Sequence, residues 1–301
     1  MRKLRASKIP GARSMKRFLK WLGVFFGSVA ALVVCAGLYL VLASQRVIAR
    51  AYDVPLSAFN APTDHESVRR GERLATIYGC NGCHGHDLAG TDMFDEPGIA
   101  HITAPNLTEV VKDYTDAELE RVIRHGIKID GRSTWIMPSA MFNRLSDDDL
   151  GAIIAYVRSF PEKAGVARHT ELRTIGRIGL LTGRFTPQAA QIQSLPQIPG
   201  PDATDPLSHG RYLVTTSCTE CHGARLQGSD FLRAPNLAIA AAYSADDFAR
   251  LMRHGTGLDD RKLGLMAEVA QSRFSHFSEE EVTAIRGYLT AYIAGGSTEL
   301  P

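Results

Sequence analysis

Cys80-Asn81-Gly82-Cys83-His84 and Cys218-Thr219-Glu220-Cys221-His222 are the two stretches on which the reading of this 301-residue chain turns. Cys-x-x-Cys-His is the signature of covalent haem attachment. Two thiols add across the two vinyl groups on one edge of a porphyrin. Two intervening residues put both sulfurs on one side of a helical turn, and the adjacent His then points under the ring to bind iron. Three other readings compete. A zinc site could use two Cys-x-x-Cys pairs but would not need His directly after each. A thioredoxin-like redox pair needs a βαβ setting, which is not found around these cysteines. Disulfides can form in an exported chain. The two motifs use every cysteine except Cys35, which favours two c-type haems, held by Cys80 and Cys83 and by Cys218 and Cys221.

Working outward, the flanking sequence repeats. Gly71-Glu-Arg-Leu74 precedes the first motif and Gly210-Arg-Tyr-Leu213 the second. Leu88-Ala-Gly90-Thr-Asp92 is matched by Leu226-Gln-Gly228-Ser-Asp230, and Ala104-Pro-Asn-Leu107 by Ala234-Pro-Asn-Leu237. Arg124-His-Gly126 corresponds to Arg253-His-Gly255. This repeat narrows the choice of sixth iron ligand. Among Met93, Met137, Met141, Met252 and Met266, only Met137 and Met266 are equivalent, each 11 residues after its Arg-His-Gly glycine. Both are expected in loops between helices, and Pro138 biases Met137 toward extended backbone. The expected axial pairs are His84/Met137 and His222/Met266, the imidazole–thioether set of high-potential cytochromes. His125 and His254 are repeated too, so bis-His ligation is the alternative; as helix-end histidines they also suit the negative end of the dipole. Arg124 and Arg253 are either partners for haem propionates by charge or residues of a solvated helix end. Trp135 is expected near the first haem.

Charge and hydropathy locate the chain. Residues 1–20 hold eight Lys/Arg and no acid, leaving 26 Lys/Arg against 32 Asp/Glu elsewhere, a formal −6. Nucleic-acid binding is therefore not expected, since its basic footprint is missing from the part that folds. Trp21 to Ala43 is uncharged. As a helix it would be roughly 35 Å long, enough for a hydrocarbon core of about 30 Å. It is too long for the apolar region of a signal peptide, and Cys35 within it reads as a lipid-facing apolar residue. The positive side stays in the cytoplasm, which puts the remainder in the periplasm of a bacterium, on the inner membrane.

Helix starts are marked by Thr63-x-x-Glu66, Thr115-x-x-Glu118, Ser146-x-x-Asp149, Ser244-x-x-Asp247 and Ser278-x-x-Glu281. Leu150, Ile153, Ile154 and Val157 follow helical spacing. No convincing alternating run appears in either repeat, so the expected fold is all-α. Gly71 is expected to let the first helix approach the last near Tyr156, with Gly210 and Tyr288 repeating this. The boundaries follow as a basic cytoplasmic tail (1–20), a transmembrane anchor (21–43), a spacer (44–65), a first haem unit (66–162), a linker with a short helix within Leu172 to Thr186 (163–206) and a second haem unit (207–297).

These features resemble the class I cytochrome c family, in its membrane-anchored multi-haem branch. They are most similar to the cytochrome subunits of membrane-bound alcohol, aldehyde and gluconate dehydrogenases. The likeness runs over residues 66–160 and 207–295, through Gly-x-x-Leu, Cys-x-x-Cys-His-Gly, Ala-Pro-Asn-Leu, Arg-His-Gly and the ligand Met. Such subunits usually have three haem sites, against two motifs here. The resemblance implies two tandem cytochrome c domains and electron transfer without substrate chemistry. Redox partners would be a dehydrogenase or quinol-oxidising complex on one side and a soluble cytochrome or terminal oxidase on the other. The alternatives are an integral di-haem subunit of a haem–copper oxidase, a di-haem peroxidase, which would need a five-coordinate iron, and a haem-based sensor, for which no signalling domain is visible.

Overall fold

Each half of the chain is organised by a glycine set against a carbonyl. In the computed structural model, which describes residues 12–195, 202, 204–230 and 232–295, a Cβ on Gly71 would lie 1.9 Å from the Ala152 carbonyl oxygen and 2.8 Å from Tyr156 Cβ. At Gly210 it would lie 2.1 Å from the Ala284 carbonyl oxygen and 2.8 Å from Tyr288 Cβ. Only a residue without Cβ allows these helix crossings, and both glycine–tyrosine pairs are those expected from the repeat.

The helices in chain order are α1 (Ala12–Ile48), α2 (His65–Ile77), α3 (Cys80–His84), α4 (Leu107–Asp113), α5 (Asp116–His125), α6 (Ser139–Phe142) and α7 (Asp147–Arg158). Then come α8 (Thr174–Leu181), α9 (Gln188–Ile192), α10 (Ser208–Ser217), α11 (Thr219–His222), α12 (Ala245–His254), α13 (Leu265–Ser272) and α14 (Glu279–Ala294). Gly71 belongs to the crossing of α2 and α7, and Gly210 to that of α10 and α14. One continuous cluster of buried side chains, from Leu74 to Leu289, runs through both halves.

The caps explain where helices start. Thr115 and Ser278 form complete capping boxes with Glu118 and Glu281. Ser146 and Ser244 accept from the Asp149 and Asp247 amides. The first helix departs from expectation: Asp64, not Thr63, is its cap, accepting from the Ser67 amide. The helix starts one residue later than the Thr63-x-x-Glu66 pattern implies, so the capped amide is that of Ser67 rather than of Glu66.

α1 is a single 37-residue helix that includes the uncharged stretch and is exposed along most of its length. It starts at Ala12, so the inner part of the expected basic tail is helical. Residues 1–11 of that tail, connector residues 196–201 and the chain beyond 295 lie outside the described residues. The expected linker helix is α8.

The described residues are mostly helical, as expected, but not all-α. β1 (Thr91–Glu96), β2 (Ala100–Ala104) and β3 (Thr170–Leu172) form an antiparallel sheet in the order β1-β2-β3. β1 carries three acids and a bulge between Asp92 and Phe94, and β2 is buried at four of its five positions, so neither alternates in a readable way. The first two strands of the sheet fill an insertion: Gly90 to Ala104 spans 14 positions, and the equivalent Gly228 to Ala234 spans six. In the second half an isolated bridge between Ser229 and Ala234 stands in its place.

Candidate cofactor site

α2 ends at Tyr78, and Gly79, with φ +78°, turns the chain into the single helical turn α3. That turn carries Cys80 and Cys83, and His84 closes it. Gly85, at φ +84°, leads the backbone away. The Gly90 amide donates to the His84 carbonyl at 2.8 Å and the Leu107 amide to the Leu88 carbonyl at 2.8 Å. The second motif is built on the same plan: Gly223 has φ +81°, the Gly228 amide donates to the His222 carbonyl at 2.8 Å and the Leu237 amide to the Leu226 carbonyl at 2.9 Å. Leu88 and Leu226 both adopt left-handed backbone, φ +56° and +59°. This conformation is uncommon for a branched side chain, and it recurs at matched positions.

The histidines carry the chemical point. His84 Nδ1 lies 2.9 Å from the Pro105 carbonyl oxygen, and His222 Nδ1 lies 2.8 Å from that of Pro235. A carbonyl only accepts, so each Nδ1 carries the proton, and each Nε2 presents its lone pair. Such a second partner is what orients an imidazole for a metal. Burial, partly countered by that hydrogen bond, holds both imidazoles below their ordinary value of 6.5, in the neutral form that binds a metal. The Ala-Pro-Asn-Leu repeat contained this partner, but as residues 21 and 13 positions away their role was not readable from spacing.

Cys80, Cys83, His84 and Met137 line one cavity of about 280 Å³. Its walls are mainly apolar, including Leu107, Leu119, Ile123, Phe142 and Ile154, and the sheet contributes Met93 and Ile102. Met93 shares the lining with Met137, whereas Met141 and Met252 are packed in the core. Trp135 lines the cavity as expected and stacks on Phe185, with ring centroids 5.7 Å apart. In the second half Cys218 belongs to the buried cluster that runs through both halves, and Met266 packs against it. Met266 lies in the first turn of α13 rather than in the expected loop, and Gly264, with φ +51°, caps the start of that helix.

The two candidate propionate partners take other roles. Arg124 does not reach the cavity: it pairs with Glu120 and Asp147 and donates to the Leu145 carbonyl. Arg253 donates to the Ser275 and Phe277 carbonyls. Both fasten a helix end to the loop that follows. The cations that do line the cavity are Lys128, Arg168 and Arg273. His125 sits 3.6 Å from Glu120 and His254 is exposed, so neither helix-end histidine lines the cavity.

The residues fit haem c. Two thiols on one turn, an imidazole with free Nε2, a thioether and apolar walls with cations are the donor set that group requires. Competing chemistry fits less well. Among the described residues no three His, Cys, Asp or Glu side chains converge as a zinc cluster would. Burial pushes the Cys80 thiol up to about 12 and the Cys218 thiol up to about 11, whereas thioredoxin-like pairs work through a lowered value. All four thiols are free rather than paired in disulfides.

Comparison with known proteins agrees. Residues 66–157 match the family described as cytochrome C oxidase, cbb3-type, subunit III. The fructose dehydrogenase cytochrome subunit of Gluconobacter japonicus is 29% identical over 280 residues, covering 83% of this chain and 57% of that protein. The gluconate 2-dehydrogenase cytochrome c subunit of Pantoea cypripedii is 27% identical, covering 74% and 58%. The alcohol dehydrogenase (quinone) cytochrome c subunit of Gluconacetobacter polyoxogenes is 26% identical, covering 75% and 56%. The chain thus spans just over half the length of these relatives. Reduced recombinant cytochrome c4 from Pseudomonas stutzeri superposes on 77% of this chain and 98% of its own, at 20% identity and a TM-score of 0.23, too loosely to bear on the arrangement of the halves. Residues 66–157 therefore form a cytochrome c family domain, in a chain whose relatives are the cytochrome subunits of fructose, gluconate and alcohol dehydrogenases.

Proposed function

We propose that this chain is a membrane-anchored, di-haem c-type cytochrome, built as two tandem cytochrome c domains (66–162 and 207–297), that transfers electrons and does no substrate chemistry. It would accept them from a dehydrogenase or quinol-oxidising complex and pass them to a soluble cytochrome or terminal oxidase. The observation that carries the reading is the duplicated Cys-x-x-Cys-His turn, in which each imidazole is aimed by a proline carbonyl. Haem, when bound, supplies one-electron chemistry at iron. Cys80 and Cys83, and Cys218 and Cys221, would tether it. His84 and His222 would ligate through Nε2, with Met137 and Met266 as the opposite ligands. With a His and a Met side chain both held by the fold as ligands, rearrangement would be small and no site would be left for substrate, which argues against a peroxidase. The apolar lining excludes water, and Lys128 and Arg168 are suited to propionate charge. α1 would anchor the protein in the bacterial inner membrane with the haem units in the periplasm, which raises the local concentration of membrane partners.

The test is the full chain made in a host that matures c-type cytochromes. It should hold two haems per chain that resist acid–acetone extraction. A colourless product, or zinc in place of iron, would refute the reading. A second reading, an integral subunit of a haem–copper oxidase, is favoured by the description of the family matched at 66–157. Purification in mild detergent separates the two: a dehydrogenase should co-purify on the first reading and an oxidase on the second.

A further inference from the structure

α8 is amphipathic, and its apolar stripe faces outward. Gly176 and Leu180 are buried, and a Cβ on Gly176 would lie 2.2 Å from the Ile99 carbonyl oxygen, so this face rests on the turn between β1 and β2. On the opposite side Ile175, Ile178 and Leu181 are 57%, 47% and 37% exposed, and Ile99 beside them is 40% exposed. The Ile175 side chain reaches to 3.1 Å from where a Gly98 Cβ would be, which joins helix and turn into one patch. Four large aliphatic side chains in one exposed patch are unfavourable in water, at roughly 25 cal/mol per Å².

The position of the patch says what covers it. α8 packs against the end of α1 that leaves the uncharged stretch. Arg177 donates to Ser44 Oγ at 2.8 Å, and Ser44 is fully buried by that contact. Val47 and Ile48 pack on the cluster that contains Leu180 and Leu172. Ser44 immediately follows the uncharged residues 21–43, so α8 is at the depth where α1 would leave the hydrocarbon. Arg173 pairs with Asp95 and Glu171, and Arg177 is held by Ser44 and the Leu172 carbonyl, which leaves the exposed Arg184 as the cation placed to meet lipid head groups while apolar side chains point below.

We infer that α8 and the β1–β2 turn form a second membrane contact, in which Ile99, Ile175, Ile178 and Leu181 enter the head-group boundary of the leaflet from which α1 emerges. The inference rests on reading α1 as a membrane span. The contact is rigidly connected to the cofactor cavity: Phe185, four residues after α8, stacks on Trp135, which lines it. α1 alone leaves the protein free to tilt about one tether. A second contact fixes the distance and orientation of the first haem site relative to the membrane surface.

The experiment uses the full, haem-loaded chain, one copy per nanodisc of phosphatidylethanolamine and phosphatidylglycerol, with a nitroxide on a single cysteine. Cys35 itself reports the span. Ile178→Cys and, as an aqueous control, Leu258→Cys are made in a Cys35→Ala background, and unchanged haem spectra verify folding. Oxygen partitions into lipid and a charged nickel chelate into water. The ratio of oxygen to nickel relaxation at 178 should be several-fold above that at 258 and below that at Cys35, which lies deeper in the span. A ratio at 178 equal to that at 258, with Cys35 in lipid, overturns the second contact and leaves the span intact. A ratio at Cys35 equal to that at 258 overturns the span and the contact with it. Shielding at 178 that needs two copies per disc also overturns the contact, because the patch then joins two chains.

Discussion

His84 and His222 act through a partner that their own motif does not contain. Each is oriented by a proline carbonyl at 2.9 and 2.8 Å, and burial keeps the imidazole neutral. What the motif supplies is the turn; what it lacks is the fixed Nδ1–H acceptor that frees Nε2. On the proposed ligation, Met137→Ala should leave the haem covalently bound but lower its potential and open its iron to carbon monoxide. Redox titration followed by a carbon monoxide difference spectrum reads both effects, and unchanged potentials would show that Met137 is not the ligand. Met93 lines the same cavity, so Met93→Leu is the companion variant and should leave the potential nearly unchanged.

The helix pairs α2/α7 and α10/α14 depend on contacts closer than any Cβ permits. Gly71→Ala would put a methyl group 1.9 Å from a carbonyl oxygen, and Gly210→Ala 2.1 Å, so the helices must separate. Each substitution should destabilise by about 1–3 kcal/mol or more, read as a lower denaturant midpoint. At the caps, Ser278→Ala removes the acceptor for the Glu281 amide and should cost about 1 kcal/mol. The caps were legible because Ser or Thr three residues before an acid is a local pattern. Asp64 displaced Thr63 because two adjacent residues could each cap, and the choice depends on which residue starts the helix. The sheet was not legible: β1 pairs through a bulge, and β3 comes from residues 170–172, in a segment read as linker.

At the scale of the molecule, the halves meet through a few polar contacts around a shared core. Arg73 makes a two-pronged pair with Glu281 at 2.9 and 3.0 Å, and Tyr212 donates to Asp149 at 2.5 Å. Arg273 Nε donates to the Ile77 carbonyl at 2.9 Å. Burial alone would raise the Glu281 carboxyl, but the hydrogen bonds from Arg73 and from the Ser278 amide outweigh it and hold it below its ordinary value of 4.5. A depressed carboxylate stabilises the fold above its unfolded value and ceases to do so as pH falls through its folded value. Stability should therefore fall as pH drops below about 4.5, the ordinary value. Glu281→Gln should be less stable than wild type at pH 7, and the two should converge in acid. Melting curves across that range check this; a constant difference at every pH would show that the ion pair does not contribute.

Legible from residue spacing alone were the two Cys-x-x-Cys-His turns, the repeat that ranks Met137 and Met266 above the other methionines, the helix crossings at Gly71 and Gly210, and the length of the apolar helix. All of these are written within one turn or one helix, or are copied twice, so spacing suffices to read them. Only the tertiary structure decided which carbonyl orients each histidine, that Lys128 and Arg168 rather than Arg124 line the cavity, that a small sheet walls it, and that α8 lies beside the emerging end of α1. Those outcomes depend on which backbone groups and charges are left without a local partner once the chain has packed. That competition is settled between residues far apart in sequence, where spacing carries no information.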